Sequence, residues 1–287
     1  FGSETNVSTG LAGGVLAAAS GNGMAYYNNY LYFATNTNIA RYGPLDGSPA
    51  IVESVWTGAT LGSLAALVNT TYPSLRGGGV YPNHAMHRHV DNKLYICDFD
   101  STSSTAANRG RGLIHYIKTT YGAAEGDTND TSVYNTLDLP LGFMTMDIES
   151  WGNNLVIAAI QTTNSTFNQG RAALFFWDTV SSSFYNMVWL PDPLVTALLN
   201  NNGNLYIFSG AISNGADVSN GYRISVYLVG QSTKQIHYSN VGAPPTAGAV
   251  DAIGDRLAWG TFHQIPTTTG ASPTYYAAVM ALGSKDH

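Results

Sequence analysis

Cysteine and charge are both scarce in this sequence of 287 residues. The single cysteine, Cys97, excludes an internal disulfide framework and a cysteine-rich zinc site. Charged residues make up 10% of the chain, well below the roughly 25% of an average soluble protein. The net charge is −6, which argues against a nucleic-acid partner because such a partner requires a basic face. No apolar run approaches the length of a membrane-spanning helix, so no membrane span is expected.

Glycine and aromatic residues are abundant instead. The 31 glycines, together with many Asn, Ser and Thr residues, indicate numerous tight turns rather than long helices. Aromatic residues make up 11% of the chain, and disordered chains lack them, so a folded, turn-rich β protein is expected. The chain begins at Phe1 with neither a basic segment nor an apolar signal segment. We interpret it as a processed or excised piece of a longer polypeptide.

One pattern occurs five times: a mixed strand, a short turn, and an apolar strand that opens with leucine. The copies are MAYYNNYLYFAT (24–35), HRHVDNKLYICD (87–98), IESWGNNLVIAA (148–159), LLNNNGNLYIFS (198–209) and DAIGDRLAWGT (251–261). Each turn consists of Asn, Asp or Gly, as a two-residue hairpin with positive φ requires. The second strand is apolar on both faces, which is typical of a strand sandwiched between neighbouring sheets. Such repeats predict the blades of a propeller.

Further strands follow in each repeat, which predicts antiparallel blades of four strands. Third strands are expected at 38–43, 112–119, 172–179, 222–230 and 275–283, and fourth strands at 50–58, 132–140, 183–191 and 235–243. The fifth repeat lacks a fourth strand, and we expect residues 3–10 to supply it and close the ring, because closure removes an exposed sheet edge. The prediction is one domain, 1–287, with blades at roughly 11–58, 80–140, 141–191, 192–243 and 244–287 plus 1–10, and a short helical insertion at 60–72.

The repeated hairpins resemble those of the β-propeller superfamily, and the chain is similar to a five-bladed member over essentially all its length. It lacks the Trp-Asp, sialidase-box and kelch signatures of particular propeller classes. Its Asn-, Thr- and Gly-rich repeats and few lysines resemble propeller domains of tailed-phage virion proteins. The resemblance implies an all-β, five-bladed fold and a virion or extracellular location. It does not fix the function, because propellers include enzymes, lectins and scaffolds.

First strands of a propeller line its central channel, so their polar residues are the candidates for chemistry. The sixth residue before each shared leucine is Ala25, Arg88, Glu149, Leu199 or Asp251. Asp147 lies two residues before Glu149 and is expected on the same side. Two carboxylates can act as acid and base on a glycosidic bond. The same side chains can instead form ion pairs and water-bridged hydrogen bonds that line a polar channel. This second interpretation is favoured because two of the five repeats have only Ala25 or Leu199 at this position.

Two histidines stand in the first strand of the second repeat. His87 and His89 are two residues apart and are expected on one face of the strand. With Arg88 they are candidate ligand-binding residues of the channel. Imidazoles beside a carboxylate can bind a divalent metal. The sequence identifies no third ligand for this pair, so we predict no metal site. A metal bound by His87 and His89 is the alternative. No phosphate-binding motif is present, and no cofactor is expected.

These features favour a non-catalytic binding or structural module of a larger assembly such as a virion. Its partner would be a protein or a carbohydrate, bound by the loops at 101–111, 162–171 and 211–221, whose lengths vary while the strands stay regular. The alternative is a glycoside hydrolase or lyase that uses the channel carboxylates Asp147, Glu149 and Asp251. An enzyme requires two of these carboxylates to converge on an open site, whereas a scaffold does not.

Overall fold

The computed structural model is all-β over the residues that it describes. These are residues 23–34, 39–52, 84–100, 111–117, 133–161, 171–192, 194–212, 222–229, 234–241, 250–254, 256–263 and 274–281. Within them every paired strand runs antiparallel to its neighbour. No helix in these ranges could cross a membrane.

The strands form five sheets that follow one another along the chain. The first holds β1 (Met24–Tyr27), β2 (Tyr30–Ala34), β3 (Ile39–Gly43) and β4 (Ala50–Val52); the second β5 (Met86–Arg88), β6 (Leu94–Asp100), β7 (Arg111–Ile117) and β8 (Val133–Asp138). The third holds β9 (Phe143–Trp151), β10 (Asn154–Gln161), β11 (Ala172–Trp177) and β12 (Asn186–Trp189); the fourth β13 (Leu194–Asn201), β14 (Asn204–Ile212), β15 (Tyr222–Val229) and β16 (Lys234–Val241). The fifth holds β17 (Val250–Ile253), β18 (Arg256–His263) and β19 (Thr274–Ala281). In each sheet the strands lie side by side in chain order, which confirms the predicted four-stranded antiparallel unit in the first four repeats.

Strand β10 shows why the sheets pack face to face. Val156 on one face joins an apolar cluster with Ile207 of the fourth sheet. Leu155 on the other face joins a second cluster with Tyr95 of the second sheet. Successive side chains of a strand point to opposite faces, so a strand that is apolar on both requires a sheet on each side. Equivalent clusters lie between the first and second sheets and between the fourth and fifth.

The first strands of the sheets meet one another. Strand β1 contacts β5, β5 contacts β9, β9 contacts β13, and β13 contacts β17. Each is an edge strand of its own sheet, so the five first strands form a continuous series in chain order. The polar residues predicted to line a channel lie on these strands.

The first and fourth hairpins have the type I′ turn that the sequence predicts, and in the first Asn28 and Asn29 have φ values of 45° and 69°. Asn202 and Gly203 have φ values of 52° and 83°, and positive φ at both central residues defines a type I′ turn. The second hairpin differs, because His89 N–H donates to the Lys93 carbonyl at 3.0 Å and encloses three residues. Asn92 at the end of this loop has a φ of 60°. The predicted two-residue turn at Asp91-Asn92 is therefore wrong.

Several predicted features fall on other parts of the chain. The ring-closing strand at 3–10, the helix at 60–72 and most of the three long loops lie outside the described residues. The number of blades in a closed ring therefore stays a prediction at this stage.

The fourth-sheet turn offers a test of the hairpin assignment. Replacing Asn202 and Gly203 together by valine should lower the free energy of unfolding by about 1–3 kcal/mol, because β-branched residues resist positive φ. A side chain at Gly203 would meet no atom within 4 Å, so the loss would come from the backbone conformation alone. Denaturant titration measures it, with Asn202→Gly as a control that should stay close to wild type. An unchanged midpoint in the double-valine variant would refute the turn.

Candidate functional site

The pairing register identifies the first-strand residues that are equivalent between sheets. In each sheet, one residue of the first strand pairs with the second-strand residue that follows the shared leucine. We call these five first-strand residues the inner layer. They are Ala25, His87, Glu149, Leu199 and Asp251. The sequence count that placed Arg88 in this set is off by one residue, because the three-residue loop lengthens the second hairpin. Arg88 pairs with Leu94 itself, and its side chain is exposed.

Glu149 is a mostly buried carboxyl of the inner layer, with 17% of its side chain exposed. Its Oε1 accepts the N–H of Ser150 at 2.8 Å and lies 3.4 Å from Nδ1 of His87. Burial raises the pKa of Glu149 to about 7; the charge of Asp147 acts in the same direction, and hydrogen bonds from backbone N–H groups oppose it. A carboxyl that still holds its proton near neutral pH is suited to general acid catalysis.

Asp147 stands two residues earlier on the same face of β9 and is held by the backbone. Its Oδ2 accepts the N–H of Leu198 at 2.7 Å, and its Oδ1 accepts the N–H of Ile148 at 2.8 Å. Leu198 belongs to β13, so this carboxylate joins two neighbouring first strands. Burial raises the pKa of Asp147 to about 6, while the two backbone hydrogen bonds act in the opposite direction. Because both oxygens are engaged, Asp147 is better placed to hold the strands than to activate water.

His87 and His89 converge on a single hydroxyl group. Ser150 Oγ lies 2.7 Å from Nε2 of His87 and 2.7 Å from Nδ1 of His89. Nε2 of His89 lies 3.2 Å from the Asn153 carbonyl oxygen. Burial lowers the pKa of His87 to about 4, and the nearby His89 adds to this; burial also lowers the pKa of His89. Both rings are therefore neutral at pH 7.

This arrangement does not favour the alternative of a metal held by His87 and His89. The Ser150 hydroxyl lies between the two rings and is hydrogen-bonded to Nε2 of His87 and Nδ1 of His89, so these two nitrogens already have a partner. Within the described ranges, no group of three or more His, Cys, Asp or Glu side chains could hold a metal ion.

Asp251 supplies the second carboxylate of the inner layer. It lies on β17, two sheets along from Glu149, and its side chain is exposed. Its Oδ1 accepts the N–H of Ala252 at 2.7 Å. An exposed carboxylate can reach a water molecule, as a general base must.

Sequence reasoning missed Ser150 and Asn200. Asn200 Nδ2 donates to the carbonyl of Ser150 at 2.7 Å and so ties β13 to β9. Serine and asparagine are common throughout this chain, so neither residue carries a sequence signal. Only the packing of β5 beside β9 brings Ser150 to two histidines that lie 63 and 61 residues earlier.

Solved structures share this fold, whereas the sequence matches no family model and no curated protein. The phage phi92 endosialidase superposes with a TM-score of 0.56 and 11% identity over 92% of this chain, which spans 58% of the endosialidase. A protein of unknown function from Dyadobacter fermentans DSM 18053 gives 0.54 and 8%, over 90% and 75% of the two chains. An alpha-L-arabinofuranosidase from Lactobacillus brevis gives 0.49 and 10%, over 88% of each. The chain is a β-propeller similar to these proteins, and the predicted resemblance to a phage propeller is confirmed.

The sequence-based preference for a non-catalytic module over an enzyme is contradicted by this comparison. The phage phi92 endosialidase, which shares the fold with a TM-score of 0.56, is named as an enzyme. Ala25 and Leu199 leave two repeats without a carboxylate at this position, which favours a scaffold only if every repeat must supply one. Glycoside hydrolysis needs only two carboxylates, so small or apolar residues elsewhere in the layer do not argue against it.

The raised pKa of Glu149 makes a prediction about stability. A carboxyl whose pKa is higher in the folded chain than in the unfolded chain favours folding at low pH. For Glu149 this contribution is complete below pH 4.5, the pKa of the unfolded chain, and is lost as the pH rises through about 7. When the pH rises from 4 to 8, the unfolding free energy of Glu149→Gln should therefore increase by about 3 kcal/mol relative to that of wild type. Urea titrations at both pH values measure this gain. The exposed Asp46→Asn is the control, and a gain no larger than that of the control would contradict the raised pKa.

Proposed function

We propose that this chain is a glycoside hydrolase in which Glu149 donates the proton. The observation that carries the proposal is the environment of Glu149: a mostly buried carboxyl with a pKa of about 7, in the layer where the first strands meet. Similarity to a fold shared by an endosialidase supports a glycosidic bond as the target. A virion or another extracellular location fits both the phage origin of that protein and a cell-surface glycan as substrate.

The proposed function requires a closed ring of five blades. The five described sheets pack in succession through their first strands, as such a ring requires. In a ring of five, β9 and β17 are separated by one blade on one side and two on the other, so they face each other across the axis. Glu149 and Asp251 would then lie on opposite sides of a bound sugar.

The two carboxyl groups divide the reaction between them. Glu149 transfers its proton to the glycosidic oxygen, and the bond between that oxygen and the anomeric carbon breaks with its electrons passing to the oxygen. Asp251 removes a proton from a water molecule, whose oxygen forms the new bond to the anomeric carbon. The products are two free hydroxyl groups, and exchange with solvent restores the proton of Glu149 and ionises Asp251.

The charges of the inner layer favour a neutral glycan. The layer contains two carboxyl groups and the neutral imidazole of His87, whereas Arg88 is exposed and lies outside the layer. Among the described residues of the layer no cation is present, so Asp147 and Asp251 would repel a carboxylated sugar. We therefore place the substrate among uncharged polysaccharides.

Hydrolysis of a polysaccharide panel tests the proposed function. Wild type should release reducing ends from a neutral polysaccharide and not from polysialic acid, with a rate that falls as the pH rises through about 7. Glu149→Gln and Asp251→Asn should each lower kcat by about 100-fold or more, the usual contribution of a general acid or base. Asp46→Asn, a loss of charge at an exposed position, is the matched control and should retain full activity.

Two outcomes would contradict the assignment. If no polysaccharide of either charge class is cleaved by wild type, the chain is not a glycoside hydrolase. If cleavage occurs at equal rates in wild type and Glu149→Gln, the proton donor lies elsewhere.

A further inference from the structure

Four groups beside Glu149 form one continuous line of contacts. From the far end these are the Asn153 carbonyl, the His89 ring, the Ser150 hydroxyl and the His87 ring, with successive separations of 3.2, 2.7 and 2.7 Å. The line ends on Glu149, 3.4 Å from His87. It crosses between β9 and the β5 hairpin, so it exists only in the folded chain.

The direction of each hydrogen bond follows from the far end. The Asn153 carbonyl can only accept, so His89 carries its proton on Nε2. Nδ1 of the neutral His89 ring then accepts, and the Ser150 hydroxyl donates its one proton to it. Ser150 Oγ must therefore accept from His87, which places the His87 proton on Nε2.

This leaves a lone pair on Nδ1 of His87 facing Oε1 of Glu149. A lone pair directed at an ionised carboxylate is repulsive, so the contact is favourable only when a proton lies between the two atoms. The proton can be on Glu149, which leaves both groups neutral, or on His87, which makes an ion pair. Because both side chains are largely removed from water, the neutral form is favoured.

We propose that His89, Ser150 and His87 are positioning residues that together keep one proton on the carboxyl group of Glu149. Without this line, the His87 ring could carry its proton on Nδ1 and donate it to the carboxylate, which would stabilise the ionised form. The inference rests on the proposed function, in which Glu149 is the proton donor. It assigns a role to three residues that do not themselves contact the glycosidic bond.

The other charged groups around the line are consistent with this role. On β9, the negative charge of Asp147 opposes ionisation of Glu149. Beside His89, burial has the largest effect and lowers its pKa, with Asp91 and Lys93 acting in opposite directions. Asn200, which faces the line from β13, is an uncharged amide. His89 therefore stays neutral and fixes the direction of the hydrogen bonds.

Nitrogen NMR of the two histidines tests the proposal on the unaltered protein. At pH 7 both rings should be neutral, and both should carry the proton on Nε2. A His87 ring protonated on Nδ1, whether neutral or as the imidazolium, would overturn the proposal. This measurement needs no substrate and no variant, so it remains decisive even if a substitution prevents folding.

Substitutions at Ser150 test the consequence for Glu149. Ser150→Ala removes the hydroxyl, so the pKa of Glu149, followed by carboxyl carbon NMR, should fall by about one unit. The alkaline limb of the hydrolysis profile should move with it. Ser150→Thr keeps a hydroxyl and should restore both values. Ser181→Ala removes a hydroxyl that donates to Asp178 on an exposed turn, and should change neither.

The outcomes separate the two proposals. An unchanged pKa of Glu149 in Ser150→Ala, or a fall that Ser150→Thr does not reverse, would overturn the positioning role while leaving the hydrolase assignment intact. The predicted shift in a chain that cleaves no polysaccharide would support the positioning of the proton and refute the proposed function alone.

Discussion

Burial of both faces of the second strand in the second, third and fourth sheets is the constraint on which the rest of this structure depends. A strand such as β10, with Leu155 on one face and Val156 on the other, loses apolar contact if either neighbouring sheet is missing. Stacked sheets satisfy this requirement, and stacking brings the first strands of successive sheets into contact. The first strands therefore meet because the second strands are buried.

The chemistry of the site is a consequence of that convergence. Where β9 packs between β5 and β13, the carboxyl groups of Asp147 and Glu149 are removed from water, which raises their pKa values above those of exposed carboxyls. The two residues respond differently because their partners differ. Asp147 accepts hydrogen bonds on both oxygens and ties β9 to β13, whereas Glu149 faces the lone pair of a neutral imidazole. One strand thus provides both a fixed carboxylate and a protonated acid.

The strands and their order could be predicted from the sequence, because leucine-led apolar strands and Asn/Gly turns report local geometry. The equivalence of His87 with Glu149 could not. The second hairpin has the same Asp-Asn dipeptide as a two-residue turn, and its extra residue is visible only in the backbone hydrogen bond from His89 to Lys93. Because of this extra residue, the inner layer contains His87 where the sequence count predicts Arg88. The contact between His87 and Glu149 therefore could not be predicted from the sequence.

Two further aspects of the site were beyond sequence reasoning. The role of Ser150 depends on the packing of strands that are about sixty residues apart in the chain, and no local pattern encodes such a contact. The number of blades that carry a carboxylate does not distinguish an enzyme from a scaffold, because the environment of one carboxyl decides whether it can act as an acid. Burial and hydrogen-bond direction, which set that environment, are properties of the folded chain.

The central claim is that Glu149 donates a proton to a glycosidic oxygen at the meeting point of the first strands. A crystal structure of Glu149→Gln with a bound neutral oligosaccharide tests it most directly, because this substitution preserves the shape of the site and prevents turnover. The account predicts the glycosidic oxygen within about 3 Å of the residue 149 side chain, with Asp251 on the opposite side of the sugar. An oligosaccharide bound only at the outer loops, with no sugar at residue 149, would contradict it.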